Sequence, residues 1–238
     1  MANMTQLRML EGLDGFLLVD KPAGLPFATV VKTVKRKFNL VKVGHGGSLD
    51  AMASGLMVLL VNGANRFVGD VMGADRDWTG TIRLGLRTNT GDVHGAALAE
   101  REAALPEGRL EAALAELRGD LFQTEPRFCS VRREDRPGYE IADTGEHKPV
   151  LAHVYRLRAE PAEGGRLTFE ASGTKSLLVR ALADDLGEAL GCGACLEALR
   201  RTRIGRFGVG DAIPFDRLLE TEIGDFASCV QPMSAFLR

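Results

Sequence analysis

The stretch "GHGGSLDAMASG" occupies residues 44–55, and the apolar run "LMVLLV" follows it directly. Glycines allow a backbone to turn sharply or to approach other groups closely, and a short apolar run bounded by turn residues is typical of a buried strand. A single carboxylate, Asp50, lies between these two features. An aspartate in such a loop commonly forms a turn, but His45 lies five residues earlier and would also allow acid–base chemistry. The stretch lacks the Gly-Lys-Ser/Thr ending of a phosphate loop.

Outward from this loop, apolar spacing predicts both strands and helices. Strands are predicted at 15–22, 54–63, 78–88, 153–160 and 166–172, the last two as an antiparallel pair. Helices are predicted at 29–38, 109–121, 179–191 and, for a short one, 195–205. Because the two kinds of element do not alternate regularly, the pattern indicates an α+β fold rather than a doubly wound sheet.

The overall composition is that of an ordinary globular protein of 238 residues, with 45% hydrophobic residues and a net charge of −2. No apolar run approaches the length of a membrane span, and the first residues do not form a signal peptide. A cytoplasmic location is therefore expected. The "CGAC" motif at Cys192 and Cys195 has no second cysteine pair to complete a zinc site, so no metal is predicted.

Positive charge is concentrated in three clusters, whereas the net charge argues against indiscriminate binding of nucleic acid. Each cluster alone is typical of a solvated surface. Three clusters that flank a possible catalytic loop favour a role in binding over a merely solvated surface. The residues that we expect to bind RNA are Lys35 and Arg36; Arg127, Arg132, Arg133 and Arg136; and Arg200 and Arg201. The second group falls in a polar, irregular segment, 124–146, that we predict to be a mobile RNA-binding insertion.

Five segments, in order over about residues 14–207, resemble the TruB family of pseudouridine synthases. They are "GFLLVDKPAG", "GHGGSLD" with "ASGLMVL", "IRLGLRTNTGDVHG", "QTEPRFCSVRREDRPGYEIA" and "GTKSLLVRALADDLGEALGCGACLEALRRTRIGRF". The resemblance implies the pseudouridine synthase fold, in which helices flank a mixed, mainly antiparallel central sheet and a loop clamps the RNA.

The resemblance also implies roles for single residues. Asp50 would be the nucleophile, which as a carboxylate is anionic at neutral pH without activation. Arg180 matches the family arginine that pairs with this aspartate and keeps it ionised. His45 would help to hold the flipped base, Leu199 would line the uracil pocket, and Lys21 in the Lys-Pro turn would contribute to substrate binding.

Two positions depart from the family pattern where it handles the base. Trp78 replaces a tyrosine that stacks under the target base; an indole can still stack but offers no phenol oxygen. Leu178 replaces a second tyrosine. Ala51 also replaces the usual proline after the aspartate. We expect a working enzyme with a reshaped substrate pocket.

The function that the resemblance implies is isomerisation of uridine to pseudouridine in tRNA, at uridine 55 of the TΨC stem-loop, after the base has left its stack. No cofactor or protein partner is implied, and a monomer is expected. The alternatives are a non-catalytic protein that binds tRNA and helps it fold, and an unrelated hydrolase that uses Asp50 with Asp92. We expect residues 1–207 to form the catalytic domain and 208–238 a short extension, too short for a full PUA domain.

Overall fold

The computed structural model of the protein describes residues 12–103, 105, 108–131 and 139–235. The chain forms two compact units. The first contains the described residues up to Ala74 and those from Arg201 onward, and the second runs from Asp75 to Arg200. Within the described part of the chain, no helix is both long enough and apolar enough to cross a membrane.

The strands of the described residues are numbered in chain order. They are β1 (Gly15–Lys21), β2 (Val43–His45), β3 (Ser54–Val61), β4 (Arg76–Leu84), β5 (Leu86–Thr88), β6 (Ala97–Glu100), β7 (Gly119–Gln123), β8 (Phe128–Val131), β9 (Glu140–Asp143), β10 (Val150–Ala162), β11 (Arg166–Gly173), β12 (Ala194–Ile204), β13 (Phe207–Gly208), β14 (Ile213–Pro214) and β15 (Val230–Pro232).

The α-helices are numbered in the same way. They are α1 (Phe27–Lys37), α2 (Val68–Gly73), α3 (Arg109–Glu116), α4 (Val179–Leu190) and α5 (Phe215–Glu220).

The first unit is organised around β1. This strand pairs antiparallel with β3 along its whole length, from Gly15 opposite Val61 to Lys21 opposite Gly55. Its other neighbours, β14 in parallel and β15 antiparallel, come from the last part of the described chain. β2 pairs antiparallel with the end of β3, so the loop between β2 and β3 starts and ends on one strand pair.

The core of the first unit consists of alternate residues of these strands. Phe16 and Leu18 of β1 and Val58 of β3 share one buried cluster with Phe207, and the rings of Phe16 and Phe207 lie 5.1 Å apart. Successive side chains of a strand point to opposite faces of the sheet. Because every residue of the run 56–61 is buried, both faces of β3 are covered. The loop that contains Asp50 therefore begins from a rigid base.

The second unit contains a sheet in the order β12, β4, β11, β10, β7, in which β12 contributes its residues up to Arg200 and the strands from β4 to β7 pair antiparallel. Helix α4 buries Val179, Ala183, Leu186 and Leu190, which lie on one face at helical spacing. It ends at Gly191, whose φ of 82° is left-handed. In the short hairpin formed by β8 and β9, Phe128 lies opposite Asp143.

The α+β prediction, with a mixed and mainly antiparallel sheet, is confirmed. The predicted strands at 15–22 and 54–63 and helices at 29–38 and 179–191 are present within a few residues. The predicted helix at 195–205 is wrong, because these residues form β12. Pairing with neighbouring strands overrides the weak helical preference of a short segment. The predicted helix at 109–121 ends at Glu116, and the chain then enters β7.

The left-handed end of α4 gives a test of this backbone. Gly191→Ala should lower the free energy of unfolding by about 1 kcal/mol, because a Cβ is unfavourable at positive φ. Space is not the cause, since a Cβ at Gly191 would meet no atom within 4 Å. The matched control is Gly69→Ala in α2, which is equally open but helical and should raise the free energy of unfolding. Equal effects of the two substitutions in urea unfolding would contradict the assigned conformation.

Candidate active site

Asp50 lies in the loop that joins β2 to β3, and it is exposed whereas most of its neighbours are not. Leu49, Ala51, Met52 and Ala53 are all buried, so the loop is packed into the first unit on both sides of the carboxylate. The backbone adds one tight turn, in which the N–H of Ala53 donates to the carbonyl oxygen of Asp50 at 3.1 Å. The loop therefore presents one acidic side chain to solvent from a fixed backbone.

The guanidinium of Arg201 holds this loop from inside the unit. Its Nε donates to the carbonyl oxygen of Leu56 at 2.9 Å, its Nη1 to that of Ser48 at 2.9 Å and its Nη2 to that of Gly47 at 3.3 Å. The side chain is buried, with 1% of its surface exposed. A buried cation is tolerated when its donors are satisfied, and here they bond to backbone carbonyls on both sides of Asp50. The expectation that Arg201 is a surface charge facing phosphate is corrected.

The approach of Arg201 depends on a glycine at position 55. Gly55 has a φ of 103°, and a Cβ there would overlap the backbone oxygen of Arg201. Only glycine meets both conditions without strain. This is the close backbone approach that the glycine-rich sequence indicates, and it places the base of the Arg201 side chain against the start of β3.

Lys21, at the end of β1, holds the other side of the loop. Its ammonium group donates to the carbonyl oxygens of Pro22 at 2.9 Å, Leu25 at 2.8 Å and Ala51 at 3.3 Å. The residue is fully buried, so its contribution to the site is through the backbone next to Asp50. This corrects the expectation of a side chain that reaches the substrate.

Burial changes the ionisation of Lys21. The pKa of Lys21 falls from its ordinary 10.5 to about 8, mainly because burial removes hydration; the negative charge of Asp50 opposes this fall and the positive charge of Arg201 adds to it. The negative charge of Asp50 therefore acts on Lys21 and favours the charged form of its ammonium group.

His45 ends β2 and lies half-buried beside the ring of Phe27, with the ring centroids 5.1 Å apart in an edge-on arrangement. Its Nδ1 accepts the N–H of Gly47 at 3.3 Å, which leaves the other ring nitrogen to carry the proton. Burial, and secondly the charge of Arg201, lowers the pKa of His45 below its ordinary 6.5. His45 is therefore a neutral residue that orients the glycine loop.

The second unit contains Arg180, in the first turn of α4. The side chain is 9% exposed. Its Nη1 donates to the carbonyl oxygen of Thr90 at 3.0 Å, and its Nη2 donates to the carboxylate of Glu125 at 2.9 Å. The guanidinium is thus fixed by a backbone oxygen and by a carboxylate from two other segments of the same unit.

The remaining residues expected at the base lie on elements of the second unit. Leu178 precedes α4, and its N–H donates to the side-chain oxygen of Gln123 at 3.0 Å. Trp78 lies on β4 opposite Ala171 of β11 and is only 8% exposed. Leu199, also buried, lies on β12, the strand next to β4. The structure thus places Trp78 and Leu199 on strands of the sheet and Leu178 in the connection that leads into α4.

Asp92 has a structural place in this unit. It is buried, and one oxygen of its carboxylate accepts the N–H of His94 at 2.9 Å. An aspartate that accepts the N–H two residues later forms a turn. Asp92 belongs to the second unit and Asp50 to the first.

The residues expected to contact RNA have different surroundings. Lys35 and Arg36 are exposed in the last turn of α1, where positive charge also suits the helix dipole. Arg127 is exposed but pairs with Asp143 across the β8–β9 hairpin, at 2.8 Å, and Arg200 is half-buried on β12. Arg132, Arg133 and Arg136 lie outside the described residues.

Sequence reasoning missed the residues that hold Arg180 and the start of its helix in place. Gln123 and Glu125 are 55 residues away from the groups that they contact, and Thr90 is 90 residues away from Arg180. Polar residues after a predicted strand give no signal for such pairings. Only the folded chain brings them together.

Two family models match the chain. One, described as "TruB family pseudouridylate synthase (N terminal domain)", matches residues 35–177, and the other, "tRNA pseudouridylate synthase B C-terminal domain", matches residues 180–238. A tRNA pseudouridine synthase B of Burkholderia pseudomallei (strain 668) is 37% identical over 230 residues, or 95% of this chain and 76% of that protein. A protein of the same name from Aromatoleum aromaticum is 39% identical over 211 residues, or 87% of this chain and 68% of that protein.

Solved structures show the same fold. A chain in the crystal structure of a Cbf5–Nop10–Gar1 complex superposes with a TM-score of 0.72 at 26% identity, over 95% of this chain and 62% of that one. A chain in an H/ACA ribonucleoprotein bound to a substrate RNA containing 2′-deoxyuridine gives a TM-score of 0.69 at 25% identity, over 95% and 61%. The chain therefore spans about six tenths of the length of these two relatives.

The lowered pKa of Lys21 predicts a dependence of stability on pH. Between about pH 8 and 10.5 the unfolded chain binds the Lys21 proton more strongly than the folded chain, so the free energy of unfolding rises with pH in this window. Lys21→Met removes this contribution. The difference in the free energy of unfolding, wild type minus variant, should therefore increase between about pH 7 and about pH 10 in urea unfolding.

The control is Lys32→Met, which removes an exposed lysine of α1 in the same unit. Its difference from the wild type should stay constant over the same pH range. A constant difference for Lys21→Met as well would show that Lys21 keeps an ordinary pKa in the folded protein.

Proposed function

The chain belongs to the TruB family of pseudouridylate synthases and is an isomerase, and we propose that it converts a uridine of tRNA to pseudouridine with Asp50 as the nucleophile. The relatives that share most of their length with this chain are named tRNA pseudouridine synthase B, which supports tRNA as the substrate. By the resemblance, the site is uridine 55 of the TΨC stem-loop.

The observation that carries the proposal is the exposed carboxylate of Asp50 on a loop that two buried cations hold by its backbone. A nucleophile must meet its target atom in a fixed geometry, and bonds to the loop backbone on both sides of Asp50 supply that geometry. A carboxylate is a suitable nucleophile because its anionic form attacks without prior activation.

The reaction breaks the bond between N1 of uracil and C1′ of ribose, turns the base, and forms a bond between C5 and C1′. The hydrogen on C5 leaves as a proton and N1 gains one, so the product has the same atoms as the substrate. Asp50 forms a covalent bond during this exchange and is released at its end. No other compound is consumed.

Other residues take the roles that the resemblance gives them. Arg180 provides the positive charge that keeps the Asp50 carboxylate ionised and directed, and Trp78, Leu178 and Leu199 form the apolar surroundings of the flipped base. His45 orders the glycine loop.

By the resemblance, exposed members of the basic clusters contact RNA phosphates, among them Lys35, Arg36 and Arg127, whereas the buried Arg201 serves the Asp50 loop. The exposed pair of Arg127 and Asp143 is weak in water, so phosphate can compete for this arginine. The protein acts as a monomer in the cytoplasm. Its four cysteines are free thiols, as is usual in a reducing compartment.

Tritium release from a tRNA transcript that contains 5-tritiated uridine tests the proposal, because isomerisation must release that hydrogen. Asp50→Asn should reduce the single-turnover rate by more than about a thousandfold and leave the affinity for tRNA unchanged. The control is Asp70→Asn, the same change at an exposed aspartate in α2 of the same unit, which should release tritium at the wild-type rate.

The other outcomes are equally informative. Release that survives in Asp50→Asn would remove Asp50 as the nucleophile. Wild-type protein that binds tRNA and releases no tritium would favour the alternative, a tRNA-binding protein of the same fold without catalysis. Mapping the modified position would decide whether uridine 55 is the target.

A further inference from the structure

The carboxylate of Glu125 lies directly against the guanidinium of Arg180, with 2.9 Å between Oε1 and Nη2. Both residues belong to the second unit. Arg180 is nine-tenths buried, and 40% of the Glu125 side chain is exposed. The pair is therefore anchored on the arginine side and accessible on the glutamate side.

Glu125 belongs to a short connection that also holds the helix of Arg180. Two residues earlier, the amide oxygen of Gln123 accepts the N–H of Leu178 at 3.0 Å, and the amide nitrogen donates to Asp185 at 3.3 Å. The first bond satisfies a backbone donor at the start of α4. The end of β7 thus fixes the start of the helix through Gln123, and the connection to β8 fixes the side chain of Arg180 through Glu125.

A third contact completes the arrangement. The Nη1 of Arg180 donates to the carbonyl oxygen of Thr90 at 3.0 Å, so the two terminal nitrogens of the guanidinium are held by two different segments. The space is confined, because a Cβ at Gly91 would press against Arg180 and Pro126. A flexible arginine side chain loses rotamer freedom when it is held in this way before the substrate arrives.

We propose that Glu125 is a positioning residue for the isomerisation: it holds the guanidinium of Arg180 in the orientation that the reaction uses. The proposal rests on the proposed function, in which Arg180 acts on the nucleophile. A charge-assisted hydrogen bond is shorter and stronger than a neutral one and sets direction as well as distance. Loss of this bond leaves the charge of Arg180 in place and removes one of the bonds that fix its orientation.

The experiment compares single-turnover tritium release and tRNA affinity in the wild type, Glu125→Ala and Glu125→Gln. The alanine variant should react about tenfold more slowly, with a Kd for tRNA that is unchanged. The glutamine variant keeps an acceptor oxygen and should recover part of the rate. The control is Glu163→Ala, which removes an exposed glutamate from the turn between β10 and β11 and should react at the wild-type rate.

A double-mutant cycle separates positioning from general stability. In an Arg180→Met background, Glu125→Ala should cause no further loss of rate, because the group that it orients is gone. Losses that multiply would show that Glu125 acts independently of Arg180 and would overturn the proposal. So would a weaker affinity for tRNA that accounts for the whole effect.

Two further outcomes keep this proposal distinct from the proposed function. No tritium release by the wild type would overturn the proposed function, and this inference with it. Normal release by the wild type and by both Glu125 variants would overturn the inference alone, and faster release by the variants would show that Glu125 restrains Arg180. If Glu125→Ala unfolds at a lower temperature than the wild type, the test uses the rate of the near-isosteric Glu125→Gln variant instead. A wild-type rate in that variant would overturn the inference, and a reduced rate with unchanged tRNA affinity would support it.

Discussion

The bonds from the buried guanidinium of Arg201 to the backbone carbonyls of Gly47, Ser48 and Leu56 are the interaction on which the candidate site depends. A carbonyl that is buried without a donor destabilises the folded state, and so does a buried cation without acceptors. Here the guanidinium supplies the donors that the carbonyls need, and the carbonyls supply the acceptors that the guanidinium needs. Because the bonds go to the backbone, they fix the path of the loop that carries Asp50.

Lys21 repeats this solution on the other side of the carboxylate, through the carbonyl oxygen of Ala51. In the second unit the arrangement differs, because there a carboxylate and a carbonyl oxygen fix the cation, Arg180. In both units, the residues that position Asp50 or Arg180 are distinct from the residues that are proposed to take part in the reaction. The departures from the family pattern, Trp78 and Leu178, fall on residues proposed to surround the base, so they alter the pocket and leave these supports intact.

Much of the fold could be predicted from the sequence, because apolar runs and helical spacing report burial directly. The exception, residues 195–205, contains good helix formers, and only pairing with distant strands makes it a strand. Charge was harder to interpret. Arg201 belongs to a basic run that is typical of a surface, and nothing in the run shows that one member points inward. The contacts of Gln123 and Glu125 span 55 residues, a distance at which local patterns carry no information.

The most direct test of the central claim is amide hydrogen exchange at Gly46 and Ala53, whose N–H groups bond within and beside the loop, in the wild type and in Arg201→Lys. Lysine keeps the positive charge but cannot reach three carbonyls with a planar fork. We predict that exchange at these amides becomes at least about tenfold faster, whereas Arg206→Lys, at an exposed site, changes nothing. Unchanged exchange in Arg201→Lys would contradict the claim that this guanidinium fixes the loop that carries Asp50.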